Sequence, residues 1–199
     1  MTDGPFPPLA LLVTGNVHKA VEIATILRGR YDVRAHAVEV DETGATFEEN
    51  AVLKARAVTP GPDVTVVLSD DSGIAVDALD GAPGVRSARW TEEADWIPRL
   101  LRQLHGVPPD ARTARFVCAA AAVLPDGREV VARSEVLGRV ADAPRGDGGF
   151  GYDPVFIPDE GDGRTFAEAP ELKARLSHRA RAFQTLAAEL TLLDRWSPG

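Results

Sequence analysis

The chain alternates between short apolar runs and longer stretches in which apolar residues recur every three or four positions. The short runs are bounded by turn residues and predict strands over residues 9–13, 33–40, 64–68, 113–124, 128–140 and 155–158. The longer stretches predict helices over residues 19–27, 46–59, 91–106 and 178–193. Strands that alternate with helices predict an α/β fold. The turn Pro125-Asp126-Gly127 joins two strands as a hairpin, so we expect a mixed β-sheet.

Length and charge narrow the class of protein. We expect one domain over residues 9–199, after a proline-rich, extended lead-in at residues 1–8. A net charge of −8 argues against bulk binding of nucleic acid or of an anionic membrane. No apolar run reaches transmembrane length and no signal peptide is visible, so the expected location is cytoplasmic. Cys118 lies in an apolar run and is expected to be a buried structural thiol.

The segment Leu68-Ser69-Asp70-Asp71-Ser72-Gly73 places two neighbouring carboxylates at the predicted end of a strand. Neighbouring carboxylates repel each other unless a cation or a proton lies between them. One interpretation is therefore a metal site, because ligand sites of α/β folds lie at the carboxyl ends of strands. The other is an exposed turn, since Asp, Ser and Gly all favour turns. These residues alone favour neither interpretation.

Scarce residue types point to further candidate positions. Only three of the 22 basic residues are lysines, at positions 19, 54 and 173, and the only asparagines are Asn16 and Asn50. A composition that favours arginine should keep lysine where a compact ammonium group is needed. The alternative is that these five residues fell where they did by chance.

Two predicted helices begin with residues that suit anion binding or capping. Thr14-Gly15-Asn16 and Lys19 follow the first strand, where backbone N–H groups and an ammonium group could hold phosphate. The phosphate-loop and dinucleotide fingerprints are both absent, so an ordinary turn with an asparagine cap is the alternative. Thr46 and Glu49 form a capping box, and the helix that it begins carries Asn50 and Lys54 on one face.

The segment 144–154 combines many glycines with Phe150, Tyr152 and Asp153. Glycines allow a backbone to approach a flat ligand closely, and an aromatic ring can stack on a nucleobase. The alternative is a linker whose aromatic rings pack in the core. His178 and Arg179 stand in the first turn of the last helix, where their charge is unfavourable for the helix dipole and a further role is expected.

Taken together, six motifs resemble the inosine/xanthosine triphosphate pyrophosphatase family in order and spacing. The motifs are 14–19, 46–55, 69–73, 81–89, 148–154 and 177–180. The resemblance runs from Leu9 to about Leu190. It implies an elongated mixed sheet flanked by helices, two lobes with a substrate cleft between them, and a homodimer. It also implies Mg²⁺-dependent hydrolysis of the purine nucleoside triphosphates ITP, dITP and XTP to the monophosphate and pyrophosphate.

The resemblance assigns roles to individual residues. Asp71 would bind the metal with Glu42 and activate the water that attacks the α-phosphorus, while Asp70 would support the metal site. The residues that it implies in substrate binding are Thr14, Gly15, Asn16, Val17, His18, Lys19, Lys54, Ser72, Arg89, Phe150, Gly151, Tyr152, Asp153, Lys173, His178 and Arg179. Many relatives carry a glycine where this chain has His18, and residues 1–8 lie outside the resemblance.

Two other functions remain as hypotheses. A metal-dependent phosphomonoesterase with an aspartate nucleophile would explain Asp70 and Asp71, but that chemistry usually needs an acid two residues after the nucleophile, and position 72 is serine. A nucleotide-binding module without catalysis is the third hypothesis, and the acid pair together with Glu42 argues against it.

Overall fold

The computed structural model describes residues 7–91 and 96–196. They form two compact units. Unit 1 comprises the described residues within Met1–Asp71, Ala119–Arg133 and Arg179–Gly199, and unit 2 comprises those within Ser72–Cys118 and Ser134–His178. Of the lead-in predicted over residues 1–8, positions 1–6 lie outside the described residues.

The described residues contain a six-stranded sheet with the order β2-β1-β3-β4-β5-β6. The strands are β1 Leu9–Val13, β2 Asp32–His36, β3 Val64–Val76, β4 Thr113–Val123, β5 Glu129–Val140 and β6 Phe156–Pro158. Strand β1 is parallel to β2 and β3, whereas β5 and β6 are antiparallel. The prediction of a mixed sheet is therefore confirmed.

Helices lie between these strands along the chain and follow the last of them. They are α1 Val17–Ile26, α2 Phe47–Arg56, α3 Trp96–Gln103, α4 Pro170–Leu176 and α5 His178–Trp196. The start predicted for the third helix, at Thr91 to residue 95, falls largely outside the described residues. No helix in the described ranges is long and apolar enough to cross a membrane.

Strand β2 is shorter than the predicted 33–40. Its pairing with β1 ends where His36 faces Val13, the last residue of β1. Beyond that pair the backbone has no ladder to join, so the remaining residues do not continue the strand. The apolar pattern could not show this, because it depends on the length of the neighbouring strand.

The predicted end of the third strand at residue 68 is wrong, and Asp70-Asp71-Ser72-Gly73 is not the exposed turn that one interpretation proposed. Strand β3 continues through these four residues to Val76. Ile74, Ala75 and Val76 are buried and extend the apolar run beyond the acids, so the strand gains more by continuing into the core. The tight turn lies later, where Asp80 and Gly81 both adopt positive φ angles.

Strand β4 is the central strand that its uniform apolar run predicts. It lies between β3 and β5, and Ala119 to Ala122 are completely buried. Cys118 is also buried, as expected for a structural thiol. In unit 2, the rings of Phe116, Phe156 and Phe166 lie 4.4–6.0 Å apart and form the centre of the core.

Gly73 provides a test of the packing around β3. A Cβ atom at this position would lie 2.2 Å from Ser87 Oγ and 2.6 Å from the Gly84 carbonyl oxygen. We expect Gly73→Ala to lower the free energy of unfolding by about 1–3 kcal/mol, the usual cost of overpacking a core. Urea unfolding of both proteins measures the difference.

Gly61→Ala is the matched control, because a Cβ there meets nothing within 4 Å and no positive φ angle is involved. We expect it to change the free energy of unfolding by no more than about 0.5 kcal/mol. Equal stability of Gly73→Ala and the wild type would show that Gly73 is not sterically required.

Candidate active site

Asp70 and Asp71 are buried side by side in β3, with exposed fractions of 2% and 6%. Successive residues of a strand point to opposite faces of the sheet, so the two carboxylates meet different partners. Asp70 contacts residues of α1 and α5, whereas Asp71 contacts residues of α2. Each acid thus has its own counter-charge, and no single cation is needed between them.

The Asp70 carboxylate is held by two cations. Lys19 Nζ lies 3.0 Å and Arg179 Nε lies 3.3 Å from the same oxygen, Asp70 Oδ2. The Arg179 guanidinium also donates to Glu22 Oε2 over 2.7 Å, and its side chain is only 2% exposed. Although burial raises the pKa of the Asp70 carboxyl, Lys19, Arg179 and Lys54 outweigh that effect and hold the pKa well below its usual range. Asp70 is therefore a permanently charged anchor.

The turn after β1 brings Lys19 to Asp70. Val13 pairs with Ser69 in the parallel ladder, so the chain leaves β1 beside the acids. The Asn16 N–H donates to Thr14 Oγ1, and Asn16 Oδ1 accepts the Lys19 N–H as the cap of α1. The asparagine cap is thus confirmed. Because a capped turn can also bind phosphate, the cap does not decide between an ordinary turn and a phosphate-binding one. Gly15, Val17 and His18 are exposed around the same helix start.

The Asp71 carboxylate shares a cation with Glu42. Lys54 Nζ lies 2.9 Å from Glu42 Oε1 and 3.3 Å from Asp71 Oδ1. All three side chains are largely buried. Burial lowers the pKa of Lys54, but the carboxylates of Asp71, Asp70 and Glu42 outweigh burial and hold the pKa above its ordinary value. Lys54 is therefore an ammonium ion that two converging acids surround.

Asp71 differs from Asp70 in its protonation chemistry. Burial raises the pKa of the Asp71 carboxyl above its ordinary value, against the opposing charges of Lys54 and Lys19. A carboxylate with a raised pKa is a stronger base than an exposed aspartate. Of the two acids in β3, Asp71 is the one suited to accept a proton.

Helix α2, which carries Lys54, begins with the capping box that the sequence predicts. Thr46 Oγ1 accepts the Glu49 N–H over 3.1 Å, and Glu49 Oε2 accepts the Thr46 N–H over 3.2 Å. Asn50, one turn before Lys54, is completely buried and donates from Nδ2 to Asp71 Oδ2 over 3.2 Å. The face that carries both scarce residues therefore points at Asp71.

The group around Asp71 fits a divalent cation of the Mg²⁺ type. Carboxylate oxygens of Glu42 and Asp71 converge on one positive charge, that of Lys54, as they would on a metal ion. Mg²⁺ is usually bound by one or two carboxylates, with water and phosphate oxygens completing its shell. Among the described residues, no group of three or more His, Cys, Asp or Glu side chains could hold a metal ion. Glu42 and Asp71 would therefore supply only part of the coordination shell.

Unit 2 contains a buried ion pair of its own. Lys173 Nζ lies 2.6 Å from Asp153 Oδ2 and 4.2 Å from the centre of the Phe150 ring. The Phe150 N–H donates to the same Asp153 oxygen over 2.7 Å. Gly149 must be a glycine here, because its φ angle is +72° and a Cβ would lie 2.1 Å from Asp153 Oδ2. The glycine-rich segment therefore folds tightly around one carboxylate and one ammonium group.

Tyr152 lies in the core of unit 2. This agrees with the alternative interpretation, in which the aromatic rings of this segment pack in the core. Its ring is buried, 6.2 Å from the Trp96 ring, and its hydroxyl donates to the Ser87 carbonyl oxygen over 3.0 Å. Burial raises the pKa of Tyr152, so the hydroxyl stays protonated. Phe150 is half-buried, and it is the aromatic ring of this segment that contacts a charged group, Lys173.

The remaining predicted residues fall in several places. His178 is buried in unit 2, with its ring stacked on Phe116 at 4.8 Å. Arg89 is exposed, and Ser72 and Gly151 are half-buried. Arg179 follows His178 directly but belongs to unit 1, where it binds Asp70 and Glu22.

The sequence analysis did not identify Glu22 as a site residue, and it assigned no role to Asn50. Glu22 is an ordinary acid on a helix surface, and only its spacing of three from Lys19 could have indicated a shared face. Asn50 was marked by the scarcity of asparagine, but its buried contact with Asp71 crosses 21 residues and left no local signal.

Comparisons with known proteins show what this chain is similar to. The model of the Ham1 family matches residues 10–189. The dITP/XTP pyrophosphatase of Symbiobacterium thermophilum is 49% identical over 179 residues, which cover 86% of this chain and 89% of the relative. That of Geobacillus kaustophilus is 47% identical over 188 residues, covering 88% of this chain and 91% of the relative.

Solved structures show the same fold. A HAM1 protein from Coxiella burnetii has a TM-score of 0.77 at 32% identity, with 92% of this chain and 98% of that chain covered. A nucleoside-triphosphatase, dITP/XTP pyrophosphatase, from Mycobacterium abscessus has a TM-score of 0.69 at 42% identity, with 89% and 98% covered. The family match and these identities over most of the chain lead to one conclusion: this protein belongs to the Ham1 family.

Proposed function

We propose that this protein hydrolyses the deaminated purine nucleoside triphosphates ITP, dITP and XTP to the monophosphate and pyrophosphate. The observation that carries the proposal is the buried Asp71 carboxylate, which shares the Lys54 ammonium group with Glu42. It is joined by the family match and by relatives that are named dITP/XTP pyrophosphatase. The reaction removes such nucleotides from the pool, and we place it in the cytoplasm.

In this proposal, residues at the start of α1 and in α2 bind the triphosphate. The exposed turn Thr14-Gly15-Asn16 offers backbone N–H groups at the start of α1, and Lys19 adds a positive charge beside it. Lys54 supplies a second ammonium group. Pyrophosphate leaves with a large negative charge, and cations placed where that charge develops lower the barrier.

Asp71 is the proposed general base. Its raised pKa lets it take a proton from water as the water oxygen attacks the α-phosphorus and the bond to pyrophosphate breaks. Bound Mg²⁺ would neutralise phosphate charge and lower the pKa of water, and Glu42 and Asp71 are the residues that would hold it. Asn50 and Lys54 orient the Asp71 carboxylate during this step.

In this proposal, the base is recognised through its 6-oxo group. The Lys173 and His178 side chains are candidate donors toward the 6-oxo group that hypoxanthine and xanthine share. Adenine carries an amino group at that position, so a buried donor would be left unpaired against it. Arg179 donates from Nε to Asp70 and from Nη1 to Glu22, so we assign it the support of Asp70. A homodimer remains part of the proposal and rests on the family resemblance.

The first test is a substrate panel of dITP, XTP, ITP, GTP and ATP with Mg²⁺, with the products separated by chromatography. We expect dITP, XTP and ITP to give monophosphate and pyrophosphate much faster than ATP. We expect Asp71→Asn to lower kcat by about 10²–10⁴-fold, the usual contribution of a general base. Asp63→Asn, which changes an exposed acid just before β3, should retain wild-type turnover.

Release of orthophosphate, or a preference for ATP, would contradict the proposed reaction. Unchanged turnover in Asp71→Asn would show that Asp71 is not the base. A wild type that binds nucleotide without turnover would favour the binding-module hypothesis.

Removal of divalent metal is the second test. We expect EDTA followed by desalting to abolish turnover, and added Mg²⁺ to restore it, because Lys19 and Lys54 are already paired with carboxylates and cannot alone neutralise a triphosphate and its leaving group. Pyrophosphate release assayed before and after each step measures the effect. Full activity in the metal-stripped protein would exclude the metal from the mechanism.

Asp70→Asn tests the anchoring role of Asp70. The substitution leaves the buried charges of Lys19 and Arg179 without their shared carboxylate. We expect a loss of about 3–5 kcal/mol in the free energy of unfolding, as is usual when one partner of a buried ion pair is removed. Urea unfolding at pH 7 measures the loss.

Asp32→Asn is the control, since its ion pair with Arg34 is exposed. We expect that variant to lose at most about 1 kcal/mol. If both variants lose the same small amount, Asp70 is not an anchor of unit 1.

A further inference from the structure

Asn50 contacts two separate parts of the candidate site with the two ends of its carboxamide. Its Oδ1 accepts the Gly44 N–H over 2.8 Å, and its Nδ2 donates to Asp71 Oδ2 over 3.2 Å. The side chain is completely buried. Asn50 therefore joins the loop that precedes α2, which carries Glu42, to the acid in β3.

The two oxygens of the Asp71 carboxylate have different partners. Oδ2 accepts from Asn50, whereas Oδ1 faces Lys54 Nζ at 3.3 Å. The hydrogen bond from Asn50 thereby fixes the rotation of the carboxylate and presents Oδ1 to the cation. Glu42 approaches the same cation from the loop, with Oε1 at 2.9 Å from Lys54 Nζ.

Gly44 makes the close approach of the loop possible. A Cβ at this position would lie 2.6 Å from Asn50 Oδ1 and 2.7 Å from Glu49 Cβ. Both distances are shorter than real Cβ contacts, so any larger residue must displace the loop or the carboxamide. Gly44 and Asn50 therefore form one link, which can be broken from either side.

A carboxamide suits this link for a chemical reason. It donates and accepts at once and carries no charge. A carboxylate at position 50 could accept from Gly44 but would repel Asp71, and an ammonium group would compete with Lys54. An asparagine that joins the Glu42 loop to Asp71 sets the spacing of these two acids and leaves the charge around the cation unchanged.

We propose that Asn50 is a positioning residue that holds Glu42 and Asp71 at the spacing required to bind one divalent cation. This inference rests on the proposed function, because it assumes that these two acids form the metal site. Outer residues that orient metal ligands typically contribute 10–100-fold to metal affinity or activity.

The test compares Asn50→Leu and Gly44→Ala with the wild type. Leucine removes both hydrogen bonds at nearly the same shape, while alanine crowds the link and leaves the carboxamide in place. The first measurement is Mn²⁺ binding without nucleotide, followed by the loss of the free-ion signal in electron paramagnetic resonance. The second is the Mg²⁺ concentration that gives half-maximal turnover.

We expect both variants to bind Mn²⁺ about 10-fold or more weakly and to need about 10-fold more Mg²⁺. The KM for nucleotide, at saturating Mg²⁺, should change much less, since the turn at Thr14–Asn16 is untouched. Because both variants break one link, the double variant should be no weaker than the more affected single variant. If Asn50→Leu does not fold, Gly44→Ala alone carries the test.

Thr46→Ala is the matched control. It removes the capping hydroxyl of the same helix, and Thr46 makes no side-chain hydrogen bond to either acid. We expect a loss of about 1 kcal/mol in stability with unchanged Mn²⁺ affinity. An increase in the metal requirement in this control equal to that of Asn50→Leu would mean that general loosening of α2, and not positioning, explains the effect.

The outcomes separate this inference from the proposed function. Wild-type affinity for Mn²⁺ in both variants, or no Mn²⁺ binding by the wild type, overturns the positioning role even if the triphosphates are hydrolysed. Weakened Mn²⁺ binding in a protein that hydrolyses none of the triphosphates overturns the proposed reaction but supports the positioning role.

Discussion

The structure depends on the burial of two adjacent carboxylates inside strand β3. An unpaired buried charge is costly enough that a protein seldom retains one. A strand turns successive side chains to opposite faces, so Asp70 and Asp71 require separate partners. Unit 1 supplies these partners from three helices: Lys19 from α1, Arg179 from α5, and Asn50 with Lys54 from α2.

The different environments of the two acids divide their roles. Asp70 is enclosed by cations that lower its pKa, so it stays charged and anchors unit 1. Asp71 has a neutral donor on one oxygen and a shared ammonium group on the other, and burial raises its pKa. Neighbouring carboxylates whose pKa values are driven apart are typical of sites that separate structural from proton-transfer roles. One residue step along a strand is enough to make this separation, because it changes the face and hence the partners.

Unit 2 also stabilises a buried carboxylate, with fewer partners. The Asp153 carboxylate is buried beside Lys173 and accepts the N–H of Phe150, and glycine at position 149 leaves room for this contact. The Lys173 ammonium group also lies over the Phe150 ring, where the negative face of the ring attracts it. A carboxylate and an aromatic ring of this glycine-rich segment thus contact one ammonium group that α4 carries.

Much of the local structure could be predicted from the sequence, because it depends on patterns within a few residues. The central strand β4, the hairpin, the capping box at Thr46 and the asparagine cap at Asn16 follow from apolar runs and from side chains that reach their own backbone. The motifs also predicted the family. Of the scarce residues, Lys19, Lys54 and Asn50 contact the acids of β3, Asn16 caps α1, and Lys173 forms the buried ion pair of unit 2.

Tertiary structure alone decided how the charges pair. The predicted end of the third strand at residue 68 was wrong because the polar residues that favour turns are stabilised in a strand by partners far along the chain. Arg179 lies 109 residues from Asp70 and 157 residues from Glu22, and no local pattern links them. The sequence by itself determined where the strands begin, the caps of α1 and α2, and the residue types able to do the chemistry. Which carboxylate has its pKa lowered by cations and which has it raised by burial depends on contacts between distant segments, and these exist only in the folded chain.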